Sequence, residues 1–192
     1  MSSEIPQHSS KTDLWYTPIP IVEKVREVLG GKIDLDPASD AFGNSRIKAT
    51  TYYTENIDGL TKTWSGRIFL NPPGGKIGNK SRMKLFWQRL MVFRETGHLN
   101  DAIFLAFSLE ALSTTQEDPE FTDPIKPHAS MCEFTVCIPR SRIRFDGPDG
   151  VSQKSPTHAN AIVYVPGRTD VSAYFVKVFS SLGDCMQRQY PL

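Results

Sequence analysis

The plainest chemistry in this chain belongs to Asn71, Pro72 and Pro73, which follow the apolar run Ile68-Phe69-Leu70. A short apolar run bounded by turn signals reads as a buried strand. Proline gives no N–H to a ladder and its ring fixes φ, so the strand must stop at Asn71 and the turn must be stiff. The stiffness presents two pre-set acceptors, the Asn71 side-chain oxygen and the Pro72 carbonyl. Such a pair suits an amino group on an aromatic ring, for example N6 of adenine. The lone pair of that nitrogen is delocalised into the ring. Two acceptors that hold both N–H groups favour the pyramidal form, which frees the lone pair for alkylation. An amide oxygen suffices, because the task needs a hydrogen-bond acceptor more than a strong base; the alkylated nitrogen becomes acidic and loses its proton late. The alkyl donor must approach in line, so positioning supplies much of the rate.

A second candidate lies upstream. Ile33-Asp34-Leu35-Asp36 alternates apolar and acidic residues and then meets Pro37. This predicts a short strand with Asp36 at its carboxyl end, followed by small residues and free backbone amides at Pro37-Ala38-Ser39. In a parallel sheet both turns open on one edge, the edge where open α/β sheets bind ligands.

The elements that must hold these turns are legible in outline. Residues 18–29 predict a helix, with Thr17 as N-cap, Pro18 at the first helical position and Gly30-Gly31 as the stop. Residues 50–54 are β-branched and aromatic and read as a short extended piece, and Asp58-Gly59-Leu60 is a turn before Trp64. After the Asn-Pro-Pro turn, residues 74–80 read as a glycine-rich loop, and 82–95 as a helix burying Leu85, Phe86, Leu90 and Phe93. Strands are expected at 102–107, 132–138 and 158–165. Ser108 caps a short helix at 109–114, 116–128 is a loop with three prolines and four acids, and Asp170 caps a last helix that Gly183 stops. Helices alternating with short, fully apolar strands predict an α/β fold with a single, mostly parallel sheet and flanking helices. The expected organisation is one domain over 13–192 behind a flexible tail, 1–12.

Composition narrows the class. Apolar residues make up 39% of the 192 and charged residues 22%, which fits an ordinary globular protein, and no run approaches the length needed to span a bilayer. The N-terminus is polar and has no apolar core of the signal-peptide kind, so a cytoplasmic setting is expected. Cys132, Cys137 and Cys185 are an odd number, which argues for reduced thiols; Cys132 and Cys137 read as core thiols on opposite faces of one strand. No metal site is expected, because their spacing with His128 fits no common zinc pattern. Net charge is only +1, yet the window 66–94 holds Arg67, Lys76, Lys80, Arg82, Lys84, Arg89 and Arg94 and no acid. A basic stripe directly after the Asn-Pro-Pro turn suits a polyanion. A second basic segment carries Arg140, Arg142 and Arg144 on one face by period two.

Taken in order, Trp15-Tyr16-Thr17-Pro18, Leu35-Asp36-Pro37-Ala38-Ser39, Asp58-Gly59-Leu60 with Trp64, and Leu70-Asn71-Pro72-Pro73 resemble the phage-type DNA N-6-adenine methyltransferase family. Arg142-Ile143-Arg144-Phe145 and Ser155-Pro156-Thr157-His158-Ala159-Asn160 resemble later segments of it. The resemblance implies a Rossmann-like methyltransferase fold and an adenine-specific enzyme that methylates DNA with S-adenosyl-L-methionine. It implies a phage-encoded modification enzyme, with restriction evasion in the host cytoplasm as its setting. It also implies roles. Asn71, Pro72 and Pro73 form the catalytic turn. Trp15, Thr17 and Pro18 help to hold the methionine part of the cofactor, Asp36, Pro37 and Ala38 form the cofactor loop, and Asp58 reaches the cofactor's adenine. Lys76, Lys80, Arg82 and Lys84, with Arg140, Arg142 and Arg144, would contact DNA phosphates.

The chain departs from that pattern twice. The position after Pro-Pro, where amino-methyltransferases broadly carry an aromatic ring that stacks on the extruded base, is Gly74; stacking then falls to Phe86, Trp87 or Phe107. Only 34 residues separate Asp36 from Asn71, so the cofactor segment is abbreviated. Other readings of the same residues stay open: methylation of a glutamine amide in protein or of an amine in RNA, and a non-catalytic, methyltransferase-like DNA-binding or inhibitor protein.

Overall fold

Apolar runs of three to six residues set the longer strands, and proline follows or ends most of them. The computed structural model describes residues 15–115, 129–154 and 156–187. The tail expected at 1–12, the loop at 116–128 with His128, and Ser155 lie outside the described residues. The element order is α1 (Ile19–Val28), β1 (Leu35–Asp36), α2 (Ala41–Ile47), β2 (Thr51–Tyr52), a 3-10 turn (Gly59–Thr61), β3 (Gly66–Leu70), β4 (Lys76–Ile77), β5 (Lys80–Ser81), α3 (Arg82–Glu95), β6 (Leu99–Ala106) and α4 (Glu110–Thr114). A second 3-10 turn (Met131–Glu133), β7 (Thr135–Pro139), β8 (Ala161–Pro166), α5 (Ser172–Phe179) and β9 (Gly183–Met186) follow.

Seven strands form one sheet in the order β2-β1-β3-β6-β8-β7-β9. The expectation of a mostly parallel sheet holds for one half. The pairings β2–β1, β1–β3 and β3–β6 are parallel, while β6–β8, β8–β7 and β7–β9 are antiparallel. The 21 residues between β7 and β8 contain no crossover helix among the described residues, and a parallel return would need one.

Side chains alternate across β3. Ile68 and Leu70 join α3 residues Met83, Phe86, Trp87 and Leu90 on one face. Phe69 joins α1 and α5 on the other, with Val22, Val25, Phe175 and Phe179. Burial on both faces explains why Ile68-Phe69-Leu70 is a continuous apolar run. In α3 the buried positions follow the helical period through Met83, Phe86, Trp87, Leu90 and Met91, so Leu85 is only half-buried, contrary to expectation.

Several local expectations change. Pro18, not Thr17, is the N-cap of α1, and no side chain caps it. The cause lies upstream, where Tyr16 pairs with Asp146 and holds the segment extended. The glycine-rich stretch 74–80 contains the hairpin β4–β5, closed by Gly78 at φ 57 and Asn79. Cys132 is not on a strand and not in the core. Ser130 and Glu133 form a capping box around a 3-10 turn there, and Cys132 is exposed. Gly183 does not simply stop the last helix. It opens β9, where a Cβ would meet the Ile138 carbonyl oxygen at 2.0 Å.

Candidate active site

The chain enters the sheet at β1, passes outward to β2 and returns to the far side of β1 as β3. The junction between β1 and β3 is therefore the switch point, and ligands of open α/β sheets bind at the carboxyl ends of the strands there. Asp36 ends β1 and Asn71 follows β3 directly, so both predicted turns stand at this point.

Asn71 is half-buried and the Pro72 ring is buried. The Asn71 Nδ2 donates to the Trp15 carbonyl at 3.2 Å. A carbonyl can only accept, so this bond fixes which end of the amide is which. Among the described residues no donor reaches Asn71 Oδ1 or the Pro72 carbonyl. The turn thus presents two free acceptors, one of them oriented by a backbone group 56 residues upstream.

Trp15, Thr17 and Pro18 lie beside this turn because three contacts fasten their segment. Tyr16 and Asp146 exchange backbone bonds of 2.8 and 3.0 Å. Arg46 reaches from α2 to the Thr17 carbonyl and forms an ion pair with Asp146. The Tyr16 hydroxyl donates to Asp40 at 2.7 Å, and burial, then this acidic partner, raises the Tyr16 pKa. Thr17 is buried and its Oγ1 has no partner among the described residues. Tyr16, Asp40, Arg46 and Asp146 escaped the sequence reading. The last two are 100 residues apart, and nothing local marks them as a pair.

Asp36 is 2% exposed. Burial pushes its carboxyl up to about 7, and the neighbouring Asp40 adds to the rise; the Ala38 N–H and the Ser39 hydroxyl work against it. No cation pairs with it among the salt bridges of the described residues. Pro37 meets the Asp58 turn closely: a Cβ on Gly59 would lie 2.0 Å from the Pro37 carbonyl oxygen. Glycine at 59 is thus required by contact rather than by φ. The Trp64 indole N–H donates to the Gly59 carbonyl at 2.8 Å and anchors the turn to the core. Asp58 itself is exposed, sits at φ 54 and accepts from the Leu60 N–H, so it caps the 3-10 turn beside the Asp36 loop.

The basic residues divide. Lys76, Lys80 and Lys84 line one shallow groove between the β4–β5 hairpin and the start of α3. Arg82 leans towards Glu55 at 3.4 Å. Three arginines of the expected stripe bind backbone carbonyls of the scaffold: Arg67 donates to Leu29, Arg89 to Lys62 and Arg94 to Pro166. Arg140, expected at a phosphate, keeps its side chain 61% exposed. It turns onto the Ser180 and Ser181 carbonyls at the end of α5, where helix carbonyls lack partners and favour a cation. Arg142 donates to the Pro156 carbonyl, and Arg142 and Arg144 stay exposed around buried Ile143. Among the described residues no group of three or more metal-ligating side chains is placed to hold an ion. No described helix is long and apolar enough to cross a membrane.

The fold and site define an α/β protein that presents a buried carboxylate and a rigid amide turn at a sheet switch point. The chain belongs to the DNA N-6-adenine-methyltransferase (Dam) family, whose model matches residues 3–105. That match covers more than half of the 192 residues and includes both the Asp36 and the Asn71 turns. No curated protein and no solved structure matches the chain.

Proposed function

We propose that this protein transfers a methyl group from S-adenosyl-L-methionine to N6 of adenine in DNA. The observation that carries the reading is the Asn71 amide, held through Nδ2 by the Trp15 carbonyl at 3.2 Å, which leaves Oδ1 as an acceptor next to the Pro72 carbonyl. Two acceptors can hold the two N–H groups of an exocyclic amine, and family membership supplies the substrate class. The reading includes an abbreviated Rossmann-like methyltransferase fold in one domain over 13–192, supported by the switch point between β1 and β3. Resemblance to phage-type members extends it to a phage-encoded enzyme acting in a host cytoplasm.

The residues at the switch point fit the cofactor. Asp36 is a buried carboxylate without a cationic partner, and an ammonium group would restore its ionised form. The Thr17 hydroxyl is buried without a partner, beside Trp15 and Pro18 on the segment assigned to the methionine part. Pro37 and Ala38 would line the same pocket, and Asp58 would reach the adenine ring from the adjoining turn. The bound cofactor supplies an electrophilic methyl group. Asn71 and Pro72 orient and polarise the acceptor amine, and Pro73 stiffens their turn. Lys76, Lys80, Arg82 and Lys84, with Arg142 and Arg144, would hold phosphates and set the register of the duplex without reading sequence.

The test is transfer of labelled methyl from the cofactor to nucleic acid. Wild-type protein is expected to label DNA, and Asn71→Ala to lose at least about 100-fold in rate while staying folded and cofactor-bound. If the protein binds the cofactor yet no duplex, single strand or host DNA accepts label, the reading fails. Label in RNA or protein instead would move the acceptor.

A further inference from the structure

An amine paired within a duplex cannot meet Asn71 until its base leaves the stack. An extruded base needs a flat surface to replace the neighbours it has lost, and the catalytic turn offers none. The residue after Pro73 is Gly74, where a Cβ would find nothing within 4 Å, so the space beside the turn is open.

Two of the three rings considered for the purpose are committed to the core. Phe86 is 6% exposed and stacks on Trp64 with ring centres 5.9 Å apart. Trp87 is fully buried, and its indole N–H donates to the Ala129 carbonyl at 2.9 Å. Neither can offer a face to a base without unfolding α3 from the sheet.

Phe107 differs in position and in support. It follows β6, the parallel neighbour of β3, and the register sets Leu70 opposite Phe104. Asn71, level with Leu105, and Phe107, two residues further along, therefore leave the same edge of the sheet from adjacent strands whose axes lie about 4.8 Å apart. Phe107 is 39% exposed. A single exposed aromatic on a loose loop would mean little, but this one is held. Asn160, itself buried, donates its Nδ2 to the carbonyls of Ala106 at 3.4 Å and Phe107 at 3.1 Å. The Leu109 N–H donates to the Ala159 carbonyl at 3.0 Å, and Ser108 Oγ accepts from Glu110. The His158 ring meets Phe107 perpendicularly, with centres 5.9 Å apart. A perpendicular contact takes up one face at most and leaves the other for a ligand.

We propose that Phe107, braced by His158 and by the Asn160 clamp, is the surface on which the extruded adenine stacks, in place of the ring that Gly74 lacks. The assignment rests on adenine in DNA being the substrate. It falls outside the matched segment 3–105, so family membership does not supply it.

The test is a binding cycle on the full chain that needs neither turnover nor a known recognition site. One duplex carries a single bulged adenine, and its control carries an abasic residue at the same bulge. Phe107→Ala is expected to weaken binding to the adenine duplex about 10-fold and to leave the abasic duplex within about 2-fold. Phe107→Trp is expected to restore the adenine preference. On any DNA that the wild type methylates, Phe107→Ala should lower kcat/KM at least about 10-fold with cofactor affinity unchanged. Equal losses on the two duplexes, no loss on either, or a wild type that does not distinguish them would overturn the assignment. Adenine-dependent coupling to Phe107 without methylation of any DNA would uphold the stacking surface and refute the enzyme.

Discussion

The two halves of the sheet use their edges differently. In the parallel half, β1, β3 and β6 run in one direction, so Asp36, Asn71 and Phe107 collect at one edge. In the antiparallel half the loops divide between both edges, and close backbone packing takes the place of gathered side chains. Gly167 fits against the Leu99 carbonyl and Gly183 against Ile138. Shared strand direction makes a site; alternating direction closes a sheet. The parallel half also carries a carboxylate at 2% exposure that no cation pairs with among the described residues.

Two glycines test that contrast most severely. A Cβ on Gly59 or on Gly183 would lie 2.0 Å from a backbone carbonyl oxygen. Each alanine substitution should destabilise the fold by roughly 3 kcal/mol. Their effects on function should differ. Gly59→Ala pushes Pro37 out of place and should weaken cofactor binding even in the folded fraction. Gly183→Ala should leave that affinity unchanged. Denaturant melts with calorimetry on the folded protein measure both, and equal cofactor affinities would erase the distinction between the halves.

The ion pair of Arg46 with Asp146 comes next. Their side chains are 16% and 13% exposed, so removing one partner strands the other in a largely dry place. Arg46→Met should cost roughly 2 kcal/mol. It should also slow methyl transfer, because Arg46 fastens the segment whose Trp15 carbonyl orients Asn71. Loss of stability with an unchanged rate in the folded fraction would show that the Trp15 segment needs no anchor.

These pairs show what the sequence could and could not disclose. Asn71 and Asp36 were legible because proline marks the end of each strand and the chemistry is local. The helix at 82–95 was legible from its period. The Arg46–Asp146 pair was not, since no period or turn links residues 100 apart. The antiparallel half was not either, because a buried strand looks the same in both directions. The partners of the arginines were not legible for a related reason: charge can be read along the chain, but which guanidinium caps a carbonyl depends on the tertiary fold. Arg94 on Pro166 and Arg140 on Ser180 are such cases.

Asp36 offers an effect with a definite sign. Its pKa is raised from 3.8 to about 7 by burial. The folded state therefore binds more protons than the unfolded state between those values, and stability falls as pH rises through that window. The penalty is absent below 3.8 and complete above about 7. Asp36→Asn should thus stabilise the protein by up to about 4 kcal/mol at pH 8 and by nothing near pH 3. The same substitution should abolish cofactor binding, and in the wild type cofactor affinity should drop as pH falls below about 7. Thermal melts and calorimetry across pH check both signs. A destabilised Asp36→Asn at pH 8 would mean that the carboxylate is already compensated.

The smallest effect separates two kinds of surface cation. Lys76 lines the groove between the β4–β5 hairpin and α3 with Lys80 and Lys84, whereas Arg140 lies on the carbonyls that end α5. A side chain that neutralises a phosphate releases about 0.9 counterion, so losing it lowers the slope of log affinity against log salt by about that amount. Lys76→Gln should reduce the slope for duplex DNA by about one and weaken binding several-fold at 0.15 M salt. Arg140→Gln should leave the slope unchanged and only loosen the end of α5. Anisotropy titrations of the two variants at three salt concentrations measure the difference. A slope change in Arg140→Gln equal to that in Lys76→Gln would put Arg140 at the phosphates beside Arg142 and Arg144 and erase the distinction between the two kinds of cation.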